Sequence, residues 1–198
     1  MPIDKAVISE ENLKKLQYLE NPRMMDLVER YVKLMKPAKV TVITDAPEDI
    51  AYIRQLALDN GEEKKLAIEG HTVHYDGYND QARDKAATKV LRTPEMKMSK
   101  VINATDREEG YNEVHEIMDG IMSGKECLVR FFCLGPTDSR FSISALQLTD
   151  SAYVCHSEDI LYRTGYEQFK KLNGSSDFFA FFHSASGEDE RGVAKDID

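Results

Sequence analysis

Two β-patterned runs most constrain what this chain can become: Glu126–Leu134 (ECLVRFFCL) and Phe141–Thr149 (FSISALQLT), separated only by GPTDSR. Each is rich in apolar and aromatic residues over strand length, and the Gly, Pro, Asp and Ser between them are residues that set turns. The pattern predicts a hairpin of two long strands. Upstream, the β-branched segment Lys39–Asp45 (KVTVITD) reads as a strand. It is followed by a helical pattern from Pro47 to Asn60 with Ile50, Ile53, Leu56 and Ala57 on one face, by Gly61 as a stop, and by a candidate strand at Lys65–Glu69. A strand, a helix and a strand ahead of a hairpin predict an α/β fold of α+β-like character, with a mixed sheet flanked by helices.

The rest of the chain divides on the same criteria. Leu13, Leu16 and Leu19 make one helical stripe, and Pro22 opens a second helix with Met24, Val28, Tyr31 and Met35 on one face, closed by Pro37. Gly70–Asn79 (GHTVHYDGYN) is a polar, aromatic stretch punctuated by Gly77 and reads as a loop, a place where function concentrates. A short segment at Arg83–Thr88 and a weak strand pattern at Lys89–Arg92 follow. Glu108 opens a helix with Tyr111, Val114, Met118 and Ile121 in register, ended by Gly124. Beyond the hairpin, SAYVCHS (Ser151–Ser157) reads as a strand, Gly165–Leu172 as a short helix, and Asp177–His183 (DFFAFFH) as a buried strand. With no repeat and no linker, a single domain over residues 1–198 is expected, with 1–37 as a helical segment and 187–198 as a flexible, charged tail.

Composition narrows the partners. A chain of 198 residues, 41% hydrophobic, can bury one substantial core. Lys and Arg total 26 against 35 Asp and Glu, and the net charge of −9 argues against nucleic acid or an anionic membrane surface as partner. No run approaches the roughly 20 apolar residues of a membrane span. The N-terminus turns charged within a few residues, unlike a secretory signal, so a cytoplasmic protein is expected. Cys127, Cys133 and Cys155 form no CxxC pair; along a strand, Cys127 and Cys133 would lie about 20 Å apart, too far to bridge. All three are expected to be reduced, buried fillers.

The candidate chemistry is sparse. Asp119–Glu126 (DGIMSGKE) resembles a phosphate loop only superficially, since three residues separate its glycines, Glu126 follows Lys125, and it closes a helix. His71 and His74, with Asp76 nearby, could hold a metal only if the loop bent, because residues three apart in extended chain face opposite ways. Ordinary hydrogen bonding is the commoner fate of such histidines. His115 reads as a helix-surface residue beside Tyr111, while His156 and His183 sit in strand patterns with no nucleophile beside them. Arginines matter more, because a guanidinium can grip a carboxylate or phosphate bidentately. Arg83 follows the HYDGYNDQA loop; on the residues alone it reads as a surface arginine paired with Asp80 or Asp84. Arg130, alternating with Leu128 and Phe132, reads as a buried structural cation, and Arg140 and Arg163 as structural.

Two stretches carry a resemblance. His71–Leu91 (HTVHYDGYNDQARDKAATKVL) and Phe131–Phe169 are similar to GTP-dependent phosphoenolpyruvate carboxykinases of archaea. The LGP turn (Leu134–Pro136), LTDSAYV (Leu148–Val154) and SEDILYR (Ser157–Arg163) occur in that family's order and spacing. The resemblance implies the N-terminal, substrate-side domain of an enzyme that decarboxylates oxaloacetate and phosphorylates the enolate with GTP, giving phosphoenolpyruvate, GDP and carbon dioxide in gluconeogenesis, with Mn²⁺ and Mg²⁺ as cofactors. It implies that Arg83, in the segment Tyr78–Thr88, holds the substrate carboxylate. The family's phosphate loop, metal ligands and guanine pocket belong to a C-terminal nucleotide-binding domain expected to be missing here. This chain alone is therefore expected to bind no nucleotide or metal and to be inactive. The alternative expectation is a non-catalytic module that binds a small carboxylate through Arg83 or acts as a scaffold.

Overall fold

The computed structural model describes residues 3–75, 88–188 and 194–197. Helix α1 (Glu10–Tyr18) starts where the Ser9 hydroxyl accepts from the Asn12 amide at 3.2 Å. Helix α2 (Pro22–Met35) is capped by Asn21, which accepts from the Met24 amide at 3.0 Å, with Pro22 in its first turn. The stripe read from the sequence is the face it buries: Met24, Val28, Tyr31 and Met35 are all inaccessible or nearly so. Strand β1 (Lys39–Val42) leads to α3 (Pro47–Asp59), after which Gly61 takes φ +73, the conformation that stops a helix at least cost in a glycine. The strand expected at Lys65–Glu69 shrinks to β2 (Lys64–Lys65), half of a short antiparallel pair with β3 (Thr72–Val73). Exposed Leu66 and Ile68 lie in its connection.

Strands β4 (Val90–Arg92) and β5 (Ala104–Asp106) pair in parallel beneath α4 (Arg107–Met118). Helix α4 ends at Asp119, one turn before the expected stop at Gly124, because Gly120 already has φ +72 and its amide donates to Leu34 O at 2.8 Å. Strands β6 (Glu126–Leu134) and β7 (Ile143–Thr149) form the predicted hairpin, in register from Leu128↔Thr149 to Leu134↔Ile143.

The segment read as the strand SAYVCHS is instead the first part of α5 (Ala152–Leu161). Its period-2 appearance hid a helical one: Ala152, Cys155 and His156 are the buried positions, and Ser151 is an N-cap that accepts from the Val154 amide at 3.1 Å. Strand β8 (Arg163–Thr164) pairs with β6 at Phe132 and Cys133, beyond the end of β1. The chain crosses to the other face at Gly165, where an added Cβ would stand 2.3 Å from the Phe132 carbonyl carbon, and enters α6 (Tyr166–Lys170). Strand β9 (Phe178–Glu188) pairs in parallel with β7 and antiparallel with β10 (Ala194–Ile197). Part of the tail expected to fray is therefore paired strand, since a backbone ladder needs no apolar side chains.

The main sheet runs β1-β6-β7-β9-β10 and is mixed, as expected. One face carries the large core, where Cys127, Val129, Phe131, Leu146 and Leu148 meet α1, α2 and α6. Helices α3 and α5 cover the other face around Ile43, Leu128 and Cys155. DFFAFFH is less buried than expected: Phe178, Ala180 and Phe182 pack on the large core, but Phe179 is 40% exposed because α5 packs over β6 and β7.

Candidate functional site

The carboxyl end of β7, the middle of β9 beside it and the start of α5 gather a connected set of polar groups. In sheets of this kind, ligands favour the ground outside the carboxyl ends of parallel strands. Thr149 Oγ1 and His183 Nδ1 share a hydrogen bond of 2.8 Å, and the Ser184 hydroxyl donates to Asp150 Oδ2 at 2.8 Å. The Ser151 amide donates to Thr149 Oγ1 at 3.1 Å. Ser151 also donates its hydroxyl to Glu62 Oε2 at 2.5 Å.

Glu62 is the hub. Its carboxylate also accepts from the amides of Ala152 (3.2 Å) and Tyr153 (2.9 Å), so the first turn of α5 is neutralised by an internal anion. The positive end of α5 is thereby filled by the chain's own carboxylate. Glu62 O accepts from His74 Nδ1 at 2.7 Å, and the His74 ring stacks on Tyr153 with centroids 3.6 Å apart and planes 12° apart. The loop after β3 is thus fastened to α5 at its beginning. Residues 76–87 follow immediately, and at their far end Thr88 O accepts from Asn103 Nδ2 at 3.0 Å. Arg83, with Asp76, Asp80 and Asp84, lies outside the described residues.

The other candidates are dispersed. His71 is exposed in the β2–β3 hairpin, while His74 is committed to Tyr153, so the two histidines have separate employments. Among the described residues, no three His, Cys, Asp or Glu side chains converge as a metal site requires. His156, on α5 and not on a strand, is buried with Glu63, its Nδ1 lying 2.7 Å from Glu63 Oε1. The His115 ring lies 3.9 Å from that of Tyr111, tilted by 42°; burial first, and the nearby Arg30 cation second, hold its pKa below the ordinary value.

Arg130 is the buried cation its strand position suggested, fully inaccessible and bonded to Thr44 O and Asp159. Arg163 is on β8, and the Arg140 guanidinium lies 4.8 Å from the centre of the Phe141 ring. Cys127, Cys133 and Cys155 are free and buried; burial raises the Cys155 thiol well above its ordinary value, so it is unreactive.

The segment Asp119–Glu126 does not suit a phosphate. The amides of Gly120, Met122, Ser123 and Lys125 already donate to Leu34, Met35, Gly120 and Met122 carbonyls.

The family model for the phosphoenolpyruvate carboxykinase N-terminal domain matches residues 26–198. The chain belongs to that family. It is also 52% identical over 194 residues to the phosphoenolpyruvate carboxykinase [GTP] of Thermococcus sibiricus and 50% identical over 194 residues to that of Pyrococcus abyssi. Each comparison covers 98% of this chain and 31% of the relative. The protein of the same name from Saccharolobus solfataricus is 38% identical over 182 residues, 92% of this chain and 29% of that one. This phosphoenolpyruvate carboxykinase N-terminal domain therefore spans about a third of the length of the relatives it matches.

Reading the sequence did not find Glu62, Glu63 or the Tyr153–His74 stack. The adjacent glutamates after Gly61 look like solvated loop charges, and only the arrival of α5 gives them partners. The one usable signal was Ser151 ahead of a buried i, i+3, i+4 set, the mark of a helix start that needs an anion.

Proposed function

We propose that this domain is the substrate-side part of a GTP-dependent phosphoenolpyruvate carboxykinase, a cytoplasmic lyase of gluconeogenesis. It would act on oxaloacetate together with a nucleotide-binding domain that supplies GTP, Mn²⁺ and Mg²⁺. The observation that carries the reading is the identity of about half of all residues, along nearly the whole chain, with proteins of that name. The role of this chain's own residues is positional. Arg83 grips the substrate carboxylate by a charge-assisted fork and fixes its orientation, which lowers the entropic part of the barrier without any proton transfer. The Glu62–His74–Tyr153 fastening at the start of the 76–87 segment supports this reading, because a gripping arginine works only if its loop is held at the root. Metal ions, when bound, would stabilise the enolate and the transferred phosphoryl group.

The test is to put these 198 residues in place of the matching third of the Thermococcus sibiricus protein and assay GTP-dependent formation of phosphoenolpyruvate from oxaloacetate. Arg83→Ala is expected to lower kcat/KM at least tenfold, roughly the loss of one charged hydrogen-bonding pair, with an unchanged melting temperature. Full activity in Arg83→Ala would remove the assignment of that residue. An inactive but folded wild-type chimera whose isolated 198-residue chain still binds oxaloacetate by calorimetry would favour a non-catalytic carboxylate-binding module.

A further inference from the structure

Asparagine is followed by glycine twice in the chain, at Asn60–Gly61 and at Asn173–Gly174. The dipeptide carries a chemistry of its own. The backbone nitrogen after an asparagine can attack that residue's side-chain carbonyl carbon, and a glycine in second place has no Cβ to block the approach. Both asparagines are exposed and both lie just after a helix, Asn60 at the end of α3 and Asn173 in the turn that follows α6. Solvent reaches the two alike. What differs is how each is held.

At Asn60 both reacting groups are engaged. The Gly61 amide donates to Leu58 O at 3.0 Å, and Asn60 Nδ2 donates to Glu62 Oε1 at 2.9 Å. Glu62 is itself fixed by the Ser151 hydroxyl and by the amides of Ala152 and Tyr153, so the restraint reaches into α5. At Asn173 neither group is engaged. Among the described residues, the Asn173 side-chain amide and the Gly174 N–H have no hydrogen-bond partner. Asn173 also sits at φ +49, a left-handed conformation that is unfavourable for any residue with a Cβ, so little opposes its leaving that geometry.

We infer that Asn173 is a site of self-modification, deamidating in the folded protein, while the fold protects the identical dipeptide at Asn60. The Gly174 nitrogen gives its proton to solvent base and attacks Asn173 Cγ. The N–Cγ bond forms, the Cγ–Nδ2 bond breaks, and ammonia leaves with a proton taken from water. A second water then opens the cyclic imide at either carbonyl, giving aspartate or isoaspartate. The balance is amide and water to carboxylic acid and ammonia, with nothing oxidised or reduced. The product gains a negative charge, and isoaspartate adds a methylene to the main chain.

The change falls on a contact that reaches the core. Ser175 O, two residues on, accepts from Asn21 Nδ2 at 2.9 Å, and buried Asn21 caps α2 by accepting from the Met24 amide at 3.0 Å. A main chain lengthened at residue 173 displaces Ser175 from Asn21, and the start of the helix that fills the large core loses a tie. The inference is independent of Arg83 and of the assignment to a longer enzyme.

The test is to age the 198-residue chain in mildly alkaline buffer and to follow the peptides holding each dipeptide by mass spectrometry, with isoaspartate identified by an isoaspartyl methyltransferase. A parallel sample is aged in urea, where neither dipeptide is restrained. Deamidation in the folded protein is expected to be about tenfold or more faster at Asn173 than at Asn60, because the bonds at Asn60 must open first, and the two rates should converge in urea. Asn173→Gly keeps the left-handed turn at no cost and should remove most of the acidic form that ion exchange separates from the aged protein. That acidic form should melt roughly 2–4 °C below fresh protein, about the worth of one hydrogen bond in a chain of this size.

Equal rates at the two sites of the folded protein, or a faster rate at Asn60, would overturn the inference. So would a gap between the sites that persists unchanged in urea, since the fold would then not be its cause. An aged form that melts with the fresh protein would overturn the link to α2.

Discussion

The two faces of the central sheet show how one strand can serve two kinds of interior. Strand β6 is buried along nearly its whole length. Its odd-numbered side chains Cys127, Val129 and Phe131 enter a broad apolar core, where Phe131 meets Phe169 with rings 4.9 Å apart and Phe182 stacks on Tyr31 at 3.8 Å. Its even-numbered side chains Leu128, Arg130 and Phe132 face α3 and α5, where six buried apolar residues cluster among the described residues. There the space is filled by ion pairs and hydrogen bonds: Arg130 with Asp159, Gln147 with Glu158 at 2.7 Å, and His156 with Glu63. Within that layer Arg130 Nε, Gln147 Oε1 and Asp159 Oδ2 have no hydrogen-bond partner among the described residues. The apolar face depends on volume, which neighbouring side chains share; the polar face depends on partners, which cannot be exchanged one at a time.

The strongest way to break the comparison is at Arg130. Arg130→Met should destabilise the fold by about 3–5 kcal/mol, because it strands the Asp159 carboxylate in a buried site. The double variant Arg130→Met/Asp159→Leu should recover most of that loss in urea unfolding. On the other face, Phe131→Ala should cost a similar ~3–5 kcal/mol by opening a cavity, and no second polar change should rescue it. Rescue on both faces, or on neither, would erase the distinction.

A smaller effect is expected at the root of the 76–87 segment. Glu62→Ala removes the acceptor for two amides and the Ser151 hydroxyl, and should lower stability by ~1–3 kcal/mol. Glu62→Gln keeps one acceptor oxygen and should lose less. Thermal melts of the two variants separate the requirement for an acceptor from the requirement for its charge.

The pH dependence sharpens the contrast further. Burial raises Asp49, but the Thr44 hydroxyl and amide and the Lys15 ammonium outweigh it and hold the carboxyl below its ordinary value. Its folded pKa is depressed, so its contribution is complete above about pH 4 and is lost as pH falls through the folded value. His115, packed against Tyr31, is also depressed, by burial and then by Arg30, so the folded protein favours the neutral ring. Its contribution is complete above about pH 6.5 and fades below that value as the unfolded chain takes up a proton first. Stability measured from pH 8 to pH 3 should therefore fall in two stages. His115→Gln should remove the first stage, and Asp49→Asn should weaken the second.

The smallest effect is expected at the surface pair Lys171–Asp138. Both side chains are more than half exposed, and Lys171→Ala should change stability by less than about 1 kcal/mol.

Much of the fold was legible because its signals are local. Pro22 and Pro47 start helices, Gly61 ends one, and GPTDSR turns a hairpin, each through backbone geometry that neighbouring residues cannot override. The misreadings came where a local signal was shared between two structures. SAYVCHS satisfies a period of two as readily as a buried helical stripe, and Glu62, far away in sequence, completes the helix start at Ser151. DFFAFFH was correctly read as a strand, but how deeply it is buried depends on where α5 lies, and no residue within the run encodes that.

The sequence by itself determined the first three helices, the β6–β7 hairpin, the mixed sheet, the buried cysteines and the membership of a carboxykinase domain family, because composition, periodicity and aligned identity are properties of the chain alone. Only the tertiary structure decided that Glu62 would fill the start of α5, that His74 would stack on Tyr153 instead of pairing with His71, and that Arg130 would find Asp159. Those outcomes depend on groups 29 to 91 residues apart meeting in space, and such meetings are fixed by packing and not by any local propensity.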